Sequence, residues 1–167
     1  MEIEMNKLTR YEKLTYYLKN NTSFKTDPAS AKHHGNHEGG LRTHSYYVLV
    51  NLLYLTKKLD LKWQDPESPY IVAYAHDMCK IGAYIPKDGG GYSVSEAHPK
   101  WHGQLSVMMA EEVIELTDEE RNCIRWHMGA YDERKNWQKF NDALKKYPNV
   151  LWTHNADMMA THFDEAI

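Results

Sequence analysis

Ala73-Tyr74-Ala75-His76-Asp77-Met78-Cys79-Lys80-Ile81-Gly82 is the stretch on which the rest of the chain turns. It opens as a small apolar helix and ends at a glycine, with an imidazole and a carboxylate adjacent near its end. One nitrogen and one oxygen donor side by side make half of a mixed metal site. Lys80 follows His76 by four residues and Asp77 by three, a spacing that puts its ammonium on their face of a helix. A His-Asp dipeptide alone is a weak signal, so its meaning depends on what the other segments supply.

To the N-terminal side, residues 7–20 read as a first helix, with Leu8, Tyr11, Leu14, Tyr17 and Leu18 at helical spacing. Residues 24–40 have no periodicity and hold three histidines (His33, His34, His37) and several glycines. This is a long loop, and long loops in compact domains are often functional. Residues 41–59 form the strongest helix, so dense in apolar residues that it reads as central and buried; His44 lies in its first turn. Pro69 suits the start of the next helix, residues 70–81, which carries His76-Asp77.

To the C-terminal side, residues 84–94 suggest a short hairpin around Gly89-Gly90-Gly91. A helix over 99–116 carries His102 in its first turn. Thr117-Asp118-Glu119-Glu120 is a capping box that starts a helix to about residue 128, closed by Gly129, with His127 in its last turn. A polar loop over 131–137, a short helix over 141–147 stopped by Pro148, and a last helix over 150–165 complete the chain. The last carries His154 and Asp157. The expectation is an all-α, compact bundle of about six or seven helices in a single domain, 1–167.

The totals agree with a small globular chain. Its 167 residues are 42% hydrophobic, and the net charge of −3 weighs against holding long nucleic acid by charge. Two cysteines outside any C-x-x-C pair fit a reduced, cytoplasmic protein. The first residues lack an apolar core of signal-peptide type, and no run of about 18 apolar residues exists to enter a membrane. The ten histidines need an explanation.

The candidate ligands are His44, His76, Asp77, His102 and His127, each near a helix end, and Asp157 within the last helix. Singly, each histidine reads better as a packing or surface residue than as a ligand. As an ordered set, H, HD, H, H, D, they resemble the HD-domain superfamily of metal-dependent phosphohydrolases. The matching segments are Gly39-Gly40-Leu41-Arg42-Thr43-His44-Ser45, Tyr74 to Gly82, Trp101-His102-Gly103, Ile124-Arg125-Trp126-His127 and His154-Asn155-Ala156-Asp157. The likeness spans about residues 24–165. It implies a helical HD bundle with a primary metal site of His44, His76, Asp77 and Asp157. His102 and His127 match the extra histidines of members that hold a second metal.

One or two divalent ions are implied, and imidazole with carboxylate suits Mn, Fe, Co, Ni or Zn. Asp77 is the residue placed to bridge two ions, and paired ions clamp an in-line displacement at phosphorus. Lys80 is expected to hold a phosphate oxygen or the charge that develops on it. Arg42 either reaches phosphate or makes a salt bridge. Tyr84 and Tyr131 lie in loops where a base could stack. His33, His34 and His37 lie either at the site rim or in solvent; His154 either supports Asp157 or packs; His98 and His162 are expected at the surface.

The expected activity is hydrolysis of a small phosphorylated substrate, a nucleotide: by a nucleotidase, a deoxynucleoside triphosphate hydrolase or a cyclic-nucleotide phosphodiesterase. Two alternatives stand beside it. One is a 3′-5′ exonuclease-like phosphodiesterase on single strands, since residues 24–44 resemble the approach to the HD site in 3′-end-trimming exoribonucleases. The chain has no room for that group's OB domain, and it also lacks the DGxGYP run of the cyclic-di-GMP phosphodiesterases. The other is a catalytically silent metal-binding module.

Overall fold

In the computed structural model, which describes residues 5–96 and 102–164, the chain is mostly helical. Seven α-helices are present among those residues: α1 (Arg10–Asn21), α2 (Gly40–Leu59), α3 (Ser68–Ala75), α4 (His102–Glu111), α5 (Asp118–Trp126), α6 (Trp137–Lys146) and α7 (Asn149–Met159). The expected hairpin is there too. β1 (Tyr84–Pro86) pairs antiparallel with β2 (Tyr92–Val94), Ile85 opposite Ser93, around a tip where Gly90 and Gly91 take positive φ. No helix among the described residues is long and apolar enough to cross a membrane.

Two helix starts follow from local chemistry. Thr9 and Thr117 each accept from the backbone N–H three residues on, while Glu12 and Glu120 return a bond to the cap residue's own N–H. Such a cap stabilises a helix by about 1 kcal/mol. The first helix accordingly begins at Arg10 rather than at residue 7, with a 3-10 turn, Met5–Lys7, ahead of it. α6 is longer than expected and α4 shorter; the start expected at residue 99 and the end expected at 165 lie outside the described residues.

α2 is the central element and packs against α3 and α7; α7 in turn meets α5, and α5 meets α4. Leu14 and Leu18 of α1, Leu41, Val48 and Leu52 of α2, Ile71 and Val72 of α3, Ile124 of α5 and Val150 of α7 are buried in one core. The centrality of α2 is as expected, but it is not buried all round. Tyr46, Val50 and Tyr54, successive i+4 positions, lie on an open face. Tyrosine tolerates that position because its hydroxyl keeps its water.

A buried carboxylate ties the far end of the bundle. Glu120 accepts from both terminal nitrogens of Arg10 (2.7 and 3.0 Å), from Ser68 Oγ (2.7 Å) and from the Thr117 N–H (2.8 Å). α1, α3 and α5 are thereby fixed to one another. At the opposite end, the loop before α2 is fastened by Asp27. Its Oδ2 accepts from the Gly82 N–H and from Ser23 Oγ, both at 2.7 Å, and its carbonyl accepts from the Leu41 N–H at 3.0 Å. That loop enters α2 through a close approach: a Cβ on Gly40 would lie 2.0 Å from the Gly35 carbonyl oxygen.

Candidate metal centre

The helix expected over 70–81 breaks where the chemistry begins. α3 ends at Ala75, His76 caps it, Asp77 leaves helical geometry (φ −110°, ψ 18°), and Met78–Lys80 form a 3-10 turn. In an unbroken helix adjacent side chains diverge by about 100°. The break instead lets His76 Nε2 and Asp77 Oδ2 approach to 3.3 Å.

The orientation of two histidines is set by a repeated device. His76 Nδ1 lies 2.8 Å from the Ala73 carbonyl, and His127 Nδ1 lies 2.8 Å from the Ile124 carbonyl. Each histidine is the C-cap of its helix, and each carbonyl belongs to the last turn, where carbonyls lack helical partners. A carbonyl only accepts, so Nδ1 carries the hydrogen in both rings. When either ring is neutral, its Nε2 is left as a lone pair facing inward, the tautomer a metal requires. The ring of His154 supports the second of these caps, donating from Nδ1 to the His127 carbonyl at 2.7 Å. That ring lies close to Gly129, where a Cβ would come within 2.7 Å of it.

His44, one turn into α2, completes the centre with Asp157 of α7. Its Nε2 faces His76 Nε2 at 3.2 Å, Asp157 Oδ1 at 3.1 Å and Asp77 Oδ2 at 3.5 Å. All four residues are buried. At most one hydrogen on His44 Nε2 can serve these three lone pairs. Donors bonded to one ion at about 2.0–2.2 Å stand about 3.0–3.5 Å from their neighbours, the spacing found here. The donor set therefore fits a divalent transition metal, and His44, His76 and Asp77 form a buried group able to bind one.

The second oxygen of Asp77 points elsewhere. Asp77 Oδ1 and His127 Nε2 are 3.5 Å apart, both buried, and neither makes a hydrogen bond. Lys80 is three residues on, and its Nζ lies 2.6 Å from Asp77 Oδ2. Burial works to raise the Asp77 carboxyl, but the charges of Lys80 and His76 and the contact with His127 hold it well below the usual carboxylate range. Asp157 is lowered in the same way, against burial, by His44 first. Burial would likewise lower Lys80 and His127, yet Asp77 pulls both above their ordinary values.

Over this centre lies a cavity of about 640 Å³ lined by Asp77, Lys80, Tyr84, His102, His127, Tyr131 and Asp157, with Ser30, His33 and His34 on the loop side. Of the site residues expected from sequence, His44, His76 and Asp77 come together directly, Asp157 joins through His44 and His127 through Asp77, and Lys80, Tyr84 and Tyr131 line the cavity. His102 also lines the cavity, its Nδ1 3.3 Å from Cys79 Sγ, and a donor atom of Asp77 lies within 4.8 Å of both. Arg42 is elsewhere. It lines a groove with Tyr11, Lys19, Phe24, Lys25 and Tyr74. Two positions along a helix point to opposite sides, so a residue two before His44 cannot share its face. Of the loop histidines, His33 and His34 line the cavity, whereas His37 is exposed, its Nδ1 against the Glu38 carbonyl.

Sequence reasoning missed Cys79 and His162. His162 was expected at the surface; it is exposed but sits on the cavity rim with Met158 and Thr161. Its signal was spacing, since Asp157, Met158, Thr161 and His162 fall three or four apart and share a helix face. The cavity lies where α7 passes into a π-helical segment, Ala160–Asp164, an irregularity frequent at functional sites. Compared with known proteins, the chain matches no family model, no curated protein and no solved structure.

Proposed function

We propose that this chain is a metal-dependent phosphohydrolase of the HD-domain type that acts on a small phosphorylated substrate, in the first place a nucleotide. The observation that carries the proposal is the convergence of three buried acceptors on His44 Nε2, at the floor of a cavity with a lysine in its wall. One hydrogen on His44 Nε2 cannot satisfy all three, and a divalent cation can.

His44, His76, Asp77 and Asp157 would hold the ion. When bound, a divalent transition metal supplies Lewis acidity and a water that is nucleophilic near neutral pH. The chain's own groups do the rest. Asp77 keeps Lys80 charged and fixed, so that its ammonium can meet a phosphate oxygen and the charge that grows on it. The Nδ1 bonds of His76 and His127 hold their rings in one tautomer and one orientation throughout. Tyr84, with its hydroxyl 3.3 Å from the Ala29 carbonyl, and the largely exposed Tyr131 offer ring faces to a base. A cavity of about 640 Å³ suits a nucleotide-sized ligand.

The test is metal analysis of the purified protein followed by one substrate panel: nucleoside mono-, di- and triphosphates, cyclic nucleotides, a generic phosphodiester and a single-stranded oligonucleotide. Bound metal with turnover of a mononucleotide supports the proposal. Metal without turnover across the panel leaves a metal-binding module and removes the enzyme. Salt-sensitive cleavage of the oligonucleotide alone makes it a nuclease.

A further inference from the structure

Cys79 is the buried thiol whose surroundings are least like those of a packing residue. Its Sγ lies 3.3 Å from His102 Nδ1. Donor atoms of Asp77, Cys79 and His102 all lie within 4.8 Å of one another. The other cysteine, Cys123, is buried in the hydrophobic core.

The thiol is held there by the backbone. The Cys79 N–H donates to Ser106 Oγ at 3.1 Å, and Ser106 is one turn along α4 from His102. The 3-10 turn Met78–Lys80 is therefore docked on α4 so that His102 and Ser106 both face Cys79. α4 in turn is pressed against α5, the helix capped by His127. A Cβ on Gly103 would lie 2.1 Å from the Arg125 carbonyl oxygen. Beside this group are two buried polar atoms with no hydrogen bond, Asp77 Oδ1 and His127 Nε2, 3.5 Å apart. Asp77 and His127 are 3% and 1% exposed. Two such buried atoms beside a thiol and an imidazole offer further donors to a cation.

We propose that Cys79 is a metal ligand, adding sulfur to the second ion position for which the resemblance already offers His102 and His127, next to the one held by His44, His76, Asp77 and Asp157. Asp77 then serves both positions, Oδ2 toward His44 and His76 and Oδ1 toward the second, where His127 Nε2 also faces. On binding, the thiol proton leaves to solvent and the sulfur bonds as thiolate. Thiolate and imidazole with one carboxylate favour Zn(II), Fe(II) or Co(II) and disfavour Mg and Ca. The two positions thus differ in chemistry: the first takes only nitrogen and oxygen, the second adds sulfur. The inference shares Asp77 with the proposed hydrolytic site but rests on that reading only for the first ion, so its test is read from metal spectra and not from turnover.

The full chain, stripped by chelator, is titrated with Co(II) and followed by absorption. The expected result is a thiolate-to-cobalt charge-transfer band in the near ultraviolet, in addition to visible d–d bands. Cys79→Ser loses the charge-transfer band, and Cys79→Asp, which keeps a charged ligand, binds the second ion without it. Cys123→Ser keeps the band and excludes the other thiol as its source. Visible bands with no charge-transfer band in the unaltered chain overturn the sulfur ligand and leave the first site standing. No cobalt binding at all overturns both. Because the decisive spectrum is that of the unaltered chain, a variant that fails to fold does not rescue the proposal.

Discussion

Lys80 Nζ lies 2.6 Å from Asp77 Oδ2, the same oxygen that stands 3.3 Å from His76 Nε2 and 3.5 Å from His44 Nε2. One carboxylate oxygen thus faces a fixed cation on one side and two imidazoles on the other. The division of labour between ligand and charge can be tested by separating them.

Asp77→Asn keeps the shape and removes the charge. Metal affinity is expected to fall at least about 100-fold, since even partners outside the ligand shell are worth 10–100-fold. Metal content measured after dialysis should drop with turnover, and a variant that retains both refutes the site.

Lys80→Ala should behave differently. Its ammonium is not a ligand, so metal content is expected to hold while turnover falls by roughly 10²–10³-fold, the effect of removing one preorganised charge donor. Loss of metal in this variant would show that Lys80 acts by placing Asp77 and not by meeting substrate.

The stability of the metal-free chain should have an acid optimum. Against the effect of burial, Asp77 and Asp157 titrate below their ordinary value, so what they contribute is present above about pH 3.9 and is lost as pH falls through their lowered values. His127 titrates above its ordinary value, so its contribution is complete below about pH 6.5 and is lost as pH rises through its raised value. The melting temperature in chelator should therefore peak between roughly pH 4 and 6.5. Added metal competes with protons and should stabilise more as pH rises. A metal-free melting temperature that climbs steadily from pH 6 to 8 is incompatible with this account.

Far from the site, Arg10→Ala leaves the fully buried Glu120 without its cation. Ser68 and the Thr117 N–H still bond to it, so the expected loss is at the lower end for a broken buried pair, about 3 kcal/mol. Urea unfolding reads this directly, and metal stoichiometry should be unchanged.

What the sequence discloses and what it hides divide along the line between local and tertiary causes. The Thr117–Glu120 capping box was legible because all its partners lie within four residues. Lys80 was placed correctly on a wrong premise. An unbroken helix was expected, yet the 3-10 turn keeps the i+3 relation to Asp77. The break itself left no mark in the apolar pattern, and the ordered set of His44, His76, Asp77, His102, His127 and Asp157 pointed to the candidate site without needing it. Arg42 shows the limit of proximity in sequence: of its two readings, contact with phosphate at this centre needs the face of His44, and two helical steps turn it toward another groove. Cys79 could not have been found, because its significance comes from His102 and Ser106 on another helix.

Asp157 reaches His44 from the last α-helix described, on the far side of the sequence from the His76-Asp77 pair. During synthesis the motif emerges from the ribosome well before the oxygen that completes it. A chain stalled before residue 149 displays His44, His76 and Asp77 yet lacks α7, which packs on α2 and carries the remaining carboxylate. Domains close on such distant contacts late, after the loop between them has been gathered in. The full donor set of the proposed centre therefore exists only after α7 has docked on α2, so an ion that needs Asp157 binds after the fold has closed.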